Sequence, residues 1–253
     1  MGQGQEIYQR YIYEKAPLQE AIFEANFATD VVDDVTLPGL FFEKIAHDFP
    51  QKNNVNVIGT RPLNKEELKN IPVVQAWNEA RTRCLQFGPE IIAANDTAYT
   101  GWENFVPMVN LLLKSYFECV NPLIAKKVGF RCINRFVIPH TNVIIPDYFR
   151  INLALSPTLQ GSAGFNINLL KQATFNETKI NAQVRFASDL LKPNESGFAF
   201  ILDIDAFTLN ELTNDPKTLL KKAADCHEFL KRIFEDLLQD KTRALLRIKN
   251  DKF

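Results

Sequence analysis

Residues 128–139, VGFRCINRFVIP, read as a long, mostly apolar strand near the middle of the chain. Side chains alternate across a strand, so positions 131, 133 and 135 share one face and 130, 132, 134 and 136 the other. The first face carries Arg131 and Arg135, the second Asn134. Two guanidinium groups in so apolar a strand need partners, because an ionised group buried alone costs several kcal/mol. Counter-charges stand in the strand-like run 198–207, FAFILDIDAF, where Asp203 and Asp205 also share a face. The expected arrangement sets Arg131 and Arg135 against these two aspartates.

Working outward, residues 20–28 (EAIFEANFA) alternate as a half-buried strand with Ala21, Phe23, Ala25 and Phe27 on one side. Pro38-Gly39 opens a helix through Phe49, and a strand follows near 54–59. The polar stretch 60–71 allows one helical turn capped by Asn64. Residues 81–87 and 89–94 read as a hairpin about Gly88-Pro89. Thr100-Gly101-Trp102-Glu103 has the form of a capping box, opening a helix to about Val120 that Pro107 should kink. Beyond the central strand come a loop at 140–147 and four strands, at 149–156, 163–170, 179–187 and 197–207. Asp215-Pro216 then starts an amphipathic helix running to about Gln239.

Strands grouped together and then closed by a helix, twice over, predict an α+β fold: antiparallel sheet packed by two long helices. The same order suggests a structural duplication of two β-rich halves, 18–120 and 127–240, although no sequence repeat links them. No flexible linker separates the halves, so residues 1–253 are expected as a single unit with a basic tail at 241–253. That length suits one large domain, and 46% hydrophobic against 23% charged residues marks a globular rather than a disordered chain.

Composition also excludes function classes. A formal net charge of −1 gives no global field toward nucleic acid or anionic membrane. The four cysteines, Cys84, Cys119, Cys132 and Cys226, include no C-x-x-C pair, so neither a zinc knuckle nor a redox motif is indicated. Neither a signal-peptide core, a run long enough to span a membrane, nor a myristoylation pattern is legible, which leads to an expected cytoplasmic location.

Several phrases occur in a fixed order: PLQEAIFEANF, PGLFFEKIAHDFP, YTGWENF, VGFRCINRFVIP, DYF, GFAFILDID and HEFLKRIFEDLL. Together they resemble a sporadically distributed family of uncharacterised bacterial proteins of roughly this length. Its marks are Pro-Leu-x-Glu-Ala, Gly-Trp-x-x-Phe, Gly-x-Arg-x-x-Asn-Arg and Ile-Leu-Asp-Ile-Asp. The resemblance spans nearly the whole chain and carries no agreed catalytic residues. It implies a mobile-element, defence or toxin–antitoxin context.

The candidate ligand-binding residues are Arg131, Asn134, Arg135 and His140, the last at the end of the central strand with Asp147 close by as an orienting carboxylate. Arginine forks grip carboxylates and phosphates, so a groove beside 128–139 would receive a small anionic ligand or a partner protein's segment. No nucleophile turn or phosphate-cradling glycine loop exists, and neither a catalytic set nor a cofactor is expected. The expected role is a non-enzymatic binding or regulatory one. Two alternatives remain open. Asp203 and Asp205 are an Asp-x-Asp pair that could hold a metal for hydrolase or nuclease chemistry. Lys241, Arg243, Arg247, Lys249 and Lys252 could contact nucleic acid. Oligomeric state is not legible.

Overall fold

The computed structural model describes residues 11–30, 36–58, 70–152, 158, 164–212 and 214–248. Among these residues nine strands form one sheet: β1 (Leu18–Ala28), β2 (Gln51–Ile58), β3 (Asn70–Trp77), β4 (Arg83–Gly88), β5 (Ile91–Asp96), β6 (Ile124–Ile138), β7 (Asn166–Phe175), β8 (Thr178–Asp189) and β9 (Phe198–Leu212). Their order is β2-β3-β4-β5-β1-β6-β9-β8-β7, and every neighbouring pair is antiparallel. The helices are α1 (Leu37–Ile45), α2 (Trp102–Cys119), α3 (Ile145–Tyr148), α4 (Pro216–Leu237) and α5 (Asp240–Leu246). The fold is α+β.

Alternation builds the core. Phe23 and Phe27 of β1, Phe87 of β4, Ile92 of β5, Phe130 of β6 and Leu202 of β9 are fully buried, or nearly so, on one face. They share a cluster with Phe105, Val109, Leu112 and Tyr116 of α2 and with Leu219, Ala223, Cys226 and Leu230 of α4. Each such burial is worth about 1.5–3 kcal/mol against exposure. Phe27 stacks on Tyr116 at 4.4 Å between ring centroids, and the Tyr116 hydroxyl donates to the Pro89 carbonyl at 2.8 Å. The ring is thus buried without orphaning its polar tip. Around Trp102, a half-buried ring at the start of α2, His227 of α4 stacks at 4.9 Å and donates to or accepts from the Tyr99 hydroxyl at 3.1 Å.

Several elements differ from the sequence expectation. Thr100 forms no capping box: Gly101 is the N-cap residue of α2, no side chain caps it, and the Thr100 hydroxyl instead accepts from Asn104 at 2.9 Å. Strand β3 was not anticipated, because Pro72 removes a ladder donor and weakens the strand signal. No strand runs through 149–152; Phe149 makes only an isolated bridge to Leu238, and 153–156 lie outside the described residues. The capped turn expected at Asn64 also lies outside them. The expected strand 163–170 is β7, which continues to Phe175 because Asn176 and Glu177, with φ of 45° and 65°, make a two-residue hairpin turn into β8. The segment expected as a basic tail begins with α5, whose Thr242 and Leu246 are buried.

Gly197 precedes β9 at φ +100°, and a Cβ there would sit 2.0 Å from the Ile138 carbonyl oxygen. Gly39 in α1 has open space around its missing Cβ. Urea unfolding should therefore show Gly197→Ala losing roughly 3 kcal/mol or more. Gly39→Ala should be neutral or gain up to about 1 kcal/mol.

Candidate functional site

The face opposite the helical core belongs to the other half of each strand's alternation. Here β1 presents Glu20, Ile22 and Glu24, β6 presents Lys127, Gly129, Arg131 and Arg135, and β9 presents Asp203, Asp205 and Phe207. A polar chain crosses the neighbouring strands. Gln75 donates to Gln86 at 3.4 Å, Gln86 to Asn95 at 2.8 Å, and Asn95 to Glu20 at 2.8 Å.

Arg131 grips Asp203 with both prongs of its fork, Nε to Oδ1 at 2.8 Å and Nη2 to Oδ2 at 2.6 Å. The register places Asp205, not Asp203, directly across from Arg131, so this is a diagonal pair reaching two residues along β9. These hydrogen bonds raise the Arg131 pKa further above its ordinary value. Lys127 lies 3.0 Å from Glu24 and 3.6 Å from Asp205, with its ammonium 4.9 Å from the centre of the Phe207 ring. Burial alone would lower the Lys127 pKa, but Asp205 and Glu24 together outweigh it and leave the pKa raised. Burial raises the Asp205 carboxyl; Lys127 and Arg131 only partly oppose it, and the negative charges of Glu24 and Asp203 add to the rise.

Arg135 corrects the expectation. Its partners are Asp189 at 2.6 Å and both oxygens of Glu195, at 2.8 and 2.7 Å, with a further bond to the Leu190 carbonyl at 2.9 Å. It therefore ties β6 to the β8–β9 connection instead of meeting Asp203 or Asp205. These bonds hold the Glu195 carboxyl down at about 2. Neither acid was identified from sequence. Asp189 belongs to β8, which pairs with β9 and not with β6, so finding it requires the strand order.

The other two candidates are elsewhere. Asn134 is buried on the helical face, donating to the Leu202 carbonyl at 3.2 Å. His140 is exposed beyond the end of β6, its ring centroid 6.3 Å from that of Tyr148. Asp147 does not orient it, because that carboxylate is bridged to Lys241 at 2.7 Å. Of the four candidates, only Arg131 lines the concavity described next.

Between these strands the face encloses a concavity of about 250 Å³. Ile22, Val73, Ile91 and Ala93 give it apolar walls. Glu24, Lys127, Arg131 and Asp205 supply charge, and Gln86 and Asn95 supply amides. Gly129 lies in its floor, where a Cβ would come within 2.9 Å of the Phe207 Cβ. β6 and β9 approach too closely at this point for any larger residue.

The alternative chemistries meet specific obstacles. Both Asp203 oxygens are taken by Arg131, and an ammonium stands beside Asp205, so a divalent cation would have to displace both. Among the described residues, no three His, Cys, Asp or Glu side chains are grouped to hold a metal ion. In the basic segment, Arg243 closes the end of α4 by donating to the Leu238 and Glu235 carbonyls at 2.8 and 2.6 Å, and Lys241 is paired with Asp147. Lys249 and Lys252 lie outside the described residues. No helix among the described residues is long and apolar enough to cross a membrane. No protein-family model and no curated protein sequence matches the chain.

The raised Asp205 carboxyl sets a pH dependence. A carboxyl whose folded pKa lies above its unfolded one favours folding in its neutral form. That contribution is complete below the unfolded value and is lost as pH rises through the folded value. Asp205→Asn should therefore unfold at higher urea than the wild type at pH 7, with the difference shrinking as pH falls toward about 4, the ordinary carboxylate value. Paired urea titrations across that range check it.

Proposed function

We propose that the protein is a non-enzymatic binding module whose sheet face, centred on β6, receives a segment of a partner protein. The observation that carries this reading is the concavity at the middle of that face, which combines apolar walls with half-exposed charges on rigid strands. Its volume of about 250 Å³ is below the 300–1,000 Å³ typical of cofactor and drug-sized ligands, and suits one anchoring side chain. Of the two occupants expected from sequence, an anion and a partner segment, the charge balance favours the segment. Arg131 and Arg135 each already hold carboxylates, so neither fork is available to a free anion without breaking an ion pair.

The strand order supports a duplication behind this surface. β1 begins at the sheet's centre, the chain moves to the outer edge at β2, and β3 to β5 return it beside β1 before α2. β6 likewise begins at the centre, the chain moves to the edge at β7, and β8 and β9 return it beside β6 before α4. In this reading α2 and α4 are the equivalent covering helices, and the concavity lies near the junction of the halves. The resemblance to a sporadically distributed family, whose patchy occurrence is typical of mobile elements and defence loci, agrees with a regulatory binder.

Ile22 lines the concavity, while Lys114 is exposed on α2. Native co-purification should recover a partner with the wild type and with Lys114→Glu, and lose it with Ile22→Arg. Equal recovery by a folded Ile22→Arg protein would sink the reading.

A further inference from the structure

The charged groups around the concavity do not balance once their contacts are considered. Arg131 is neutralised by the two-pronged bond to Asp203, and Lys127 by its 3.0 Å contact with Glu24. Asp205 has only a share of Lys127, as that ammonium's second and longer partner at 3.6 Å. It accepts no hydrogen bond among the described residues, and its nearest cation, Lys127, stands 3.6 Å away, beyond ordinary hydrogen-bond reach. Its side chain is 24% exposed, and it lines the concavity. A carboxylate held in this way retains acceptor capacity that the protein does not fill.

We propose that the concavity is a cation subsite, taking a lysine or arginine side chain of the partner segment with its charged end on Asp205 and Glu24. This rests on the binding-module reading and names the chemistry of its occupant. The wall composition fits the guest's other half. Ile22, Ile91 and Ala93 offer apolar surface along which a methylene stem can lie while its head reaches a carboxylate. Lys127 already occupies part of this slot, between Glu24 and Asp205 and over the Phe207 ring, and so shows within the protein itself that the site accepts an ammonium. An incoming cation takes the acceptor positions on Asp205 that Lys127 does not reach. Burial raises the Asp205 carboxyl, and the attraction of Lys127 and Arg131 opposes that rise only in part.

The test is nuclear magnetic resonance on the full chain, uniformly labelled with nitrogen-15. It is titrated separately with N-acetyl-lysine amide and N-acetyl-arginine amide. N-acetyl-norleucine amide serves as the uncharged stem, N-acetyl-glutamate amide as the anion and cadaverine as a free amine. The cationic amides should shift the backbone resonances of Ile22, Glu24, Ala93, Gly129 and Asp205, and norleucine amide should leave them in place. Asp205→Asn should abolish these shifts while the spectrum keeps its dispersion. Glu24→Gln should weaken them, which provides a second variant if the first fails to fold. The proposal is overturned if norleucine amide matches the cations, if Asp205→Asn responds as the wild type does, or if no probe shifts these residues. Tighter binding of cadaverine than of lysine amide would assign the site to small amines and overturn the partner side chain. Shifts from glutamate amide alone would overturn the cation chemistry but leave the docking face intact. The docking face itself fails only with the partner recovery by Ile22→Arg described above.

Discussion

The antiparallel pairing of β1 with β6 is the constraint on which the rest of the molecule depends. It joins the strands β2 to β5 on one side to β7 to β9 on the other in a single hydrogen-bonded surface. Its register sets Phe23 opposite Phe130 on the core face and Ile22 opposite Arg131 on the other. A slip of one residue would turn the phenylalanines outward and drive Arg131 and Glu24 into the helical core. Gly129 tightens this constraint, because the approach of Phe207 and the Ala206 carbonyl leaves no room for a Cβ there. Sheet continuity, core composition and the concavity thus follow from one alignment.

The ion pairs across this surface are best understood as fixing geometry. A partly buried pair gains Coulomb energy and loses hydration, and the two nearly offset. What such a pair does supply is a preferred alignment. Arg131 prefers the diagonal contact to Asp203 over the carboxylate directly across, which leaves Asp205 to Lys127. Arg135 satisfies itself on Asp189, Glu195 and a backbone carbonyl, and so holds the connection from β8 to β9 in place. Within that connection the Lys192 amide also donates to Glu195, at 2.7 Å. One guanidinium organises a turn far away in sequence; the other sets the charge balance of the concavity.

Period-two alternation made β1, β6 and β9 legible, because each is long and buries one face against helices. The hairpin of β4 and β5 was legible from Gly88-Pro89, and α4 from Asp215-Pro216, whose carboxylate indeed accepts the Thr218 amide at 2.8 Å. β3 was hidden by Pro72, and the capping box at Thr100 failed because Gly101, at φ 141°, starts the helix one residue later. At the site, the sharing of one strand face by Arg131 and Arg135, and of another by Asp203 and Asp205, could be read from spacing alone. Which aspartate meets which arginine could not, since that is decided by register between strands distant in sequence. Asn134 was placed correctly on the opposite face, but its lone bond to the Leu202 carbonyl separates it from any groove. Glu195 carried no sequence signal, as it acts from a turn.

Alternation has a second consequence. Because the helices bury only one face of the sheet, the central strands β1, β6 and β9 carry a second set of side chains of which several are neither core nor fully wet. Glu24, Lys127, Arg131 and Asp205 are between 23% and 41% exposed, a range in which charges keep some water but are screened less than at an open surface. Such groups either pair internally or remain available to a guest. Around the concavity, among the described residues, Glu24 and Arg131 have close partners, and Asp205 has only the longer 3.6 Å contact with Lys127. Asp205 sits on a strand whose backbone is fixed on both sides by β6 and β8, so a guest reaching it meets a rigid acceptor and loses little to reorganisation. A carboxylate raised by burial and held rigid beside apolar walls is an acceptor that the fold itself leaves partly unused.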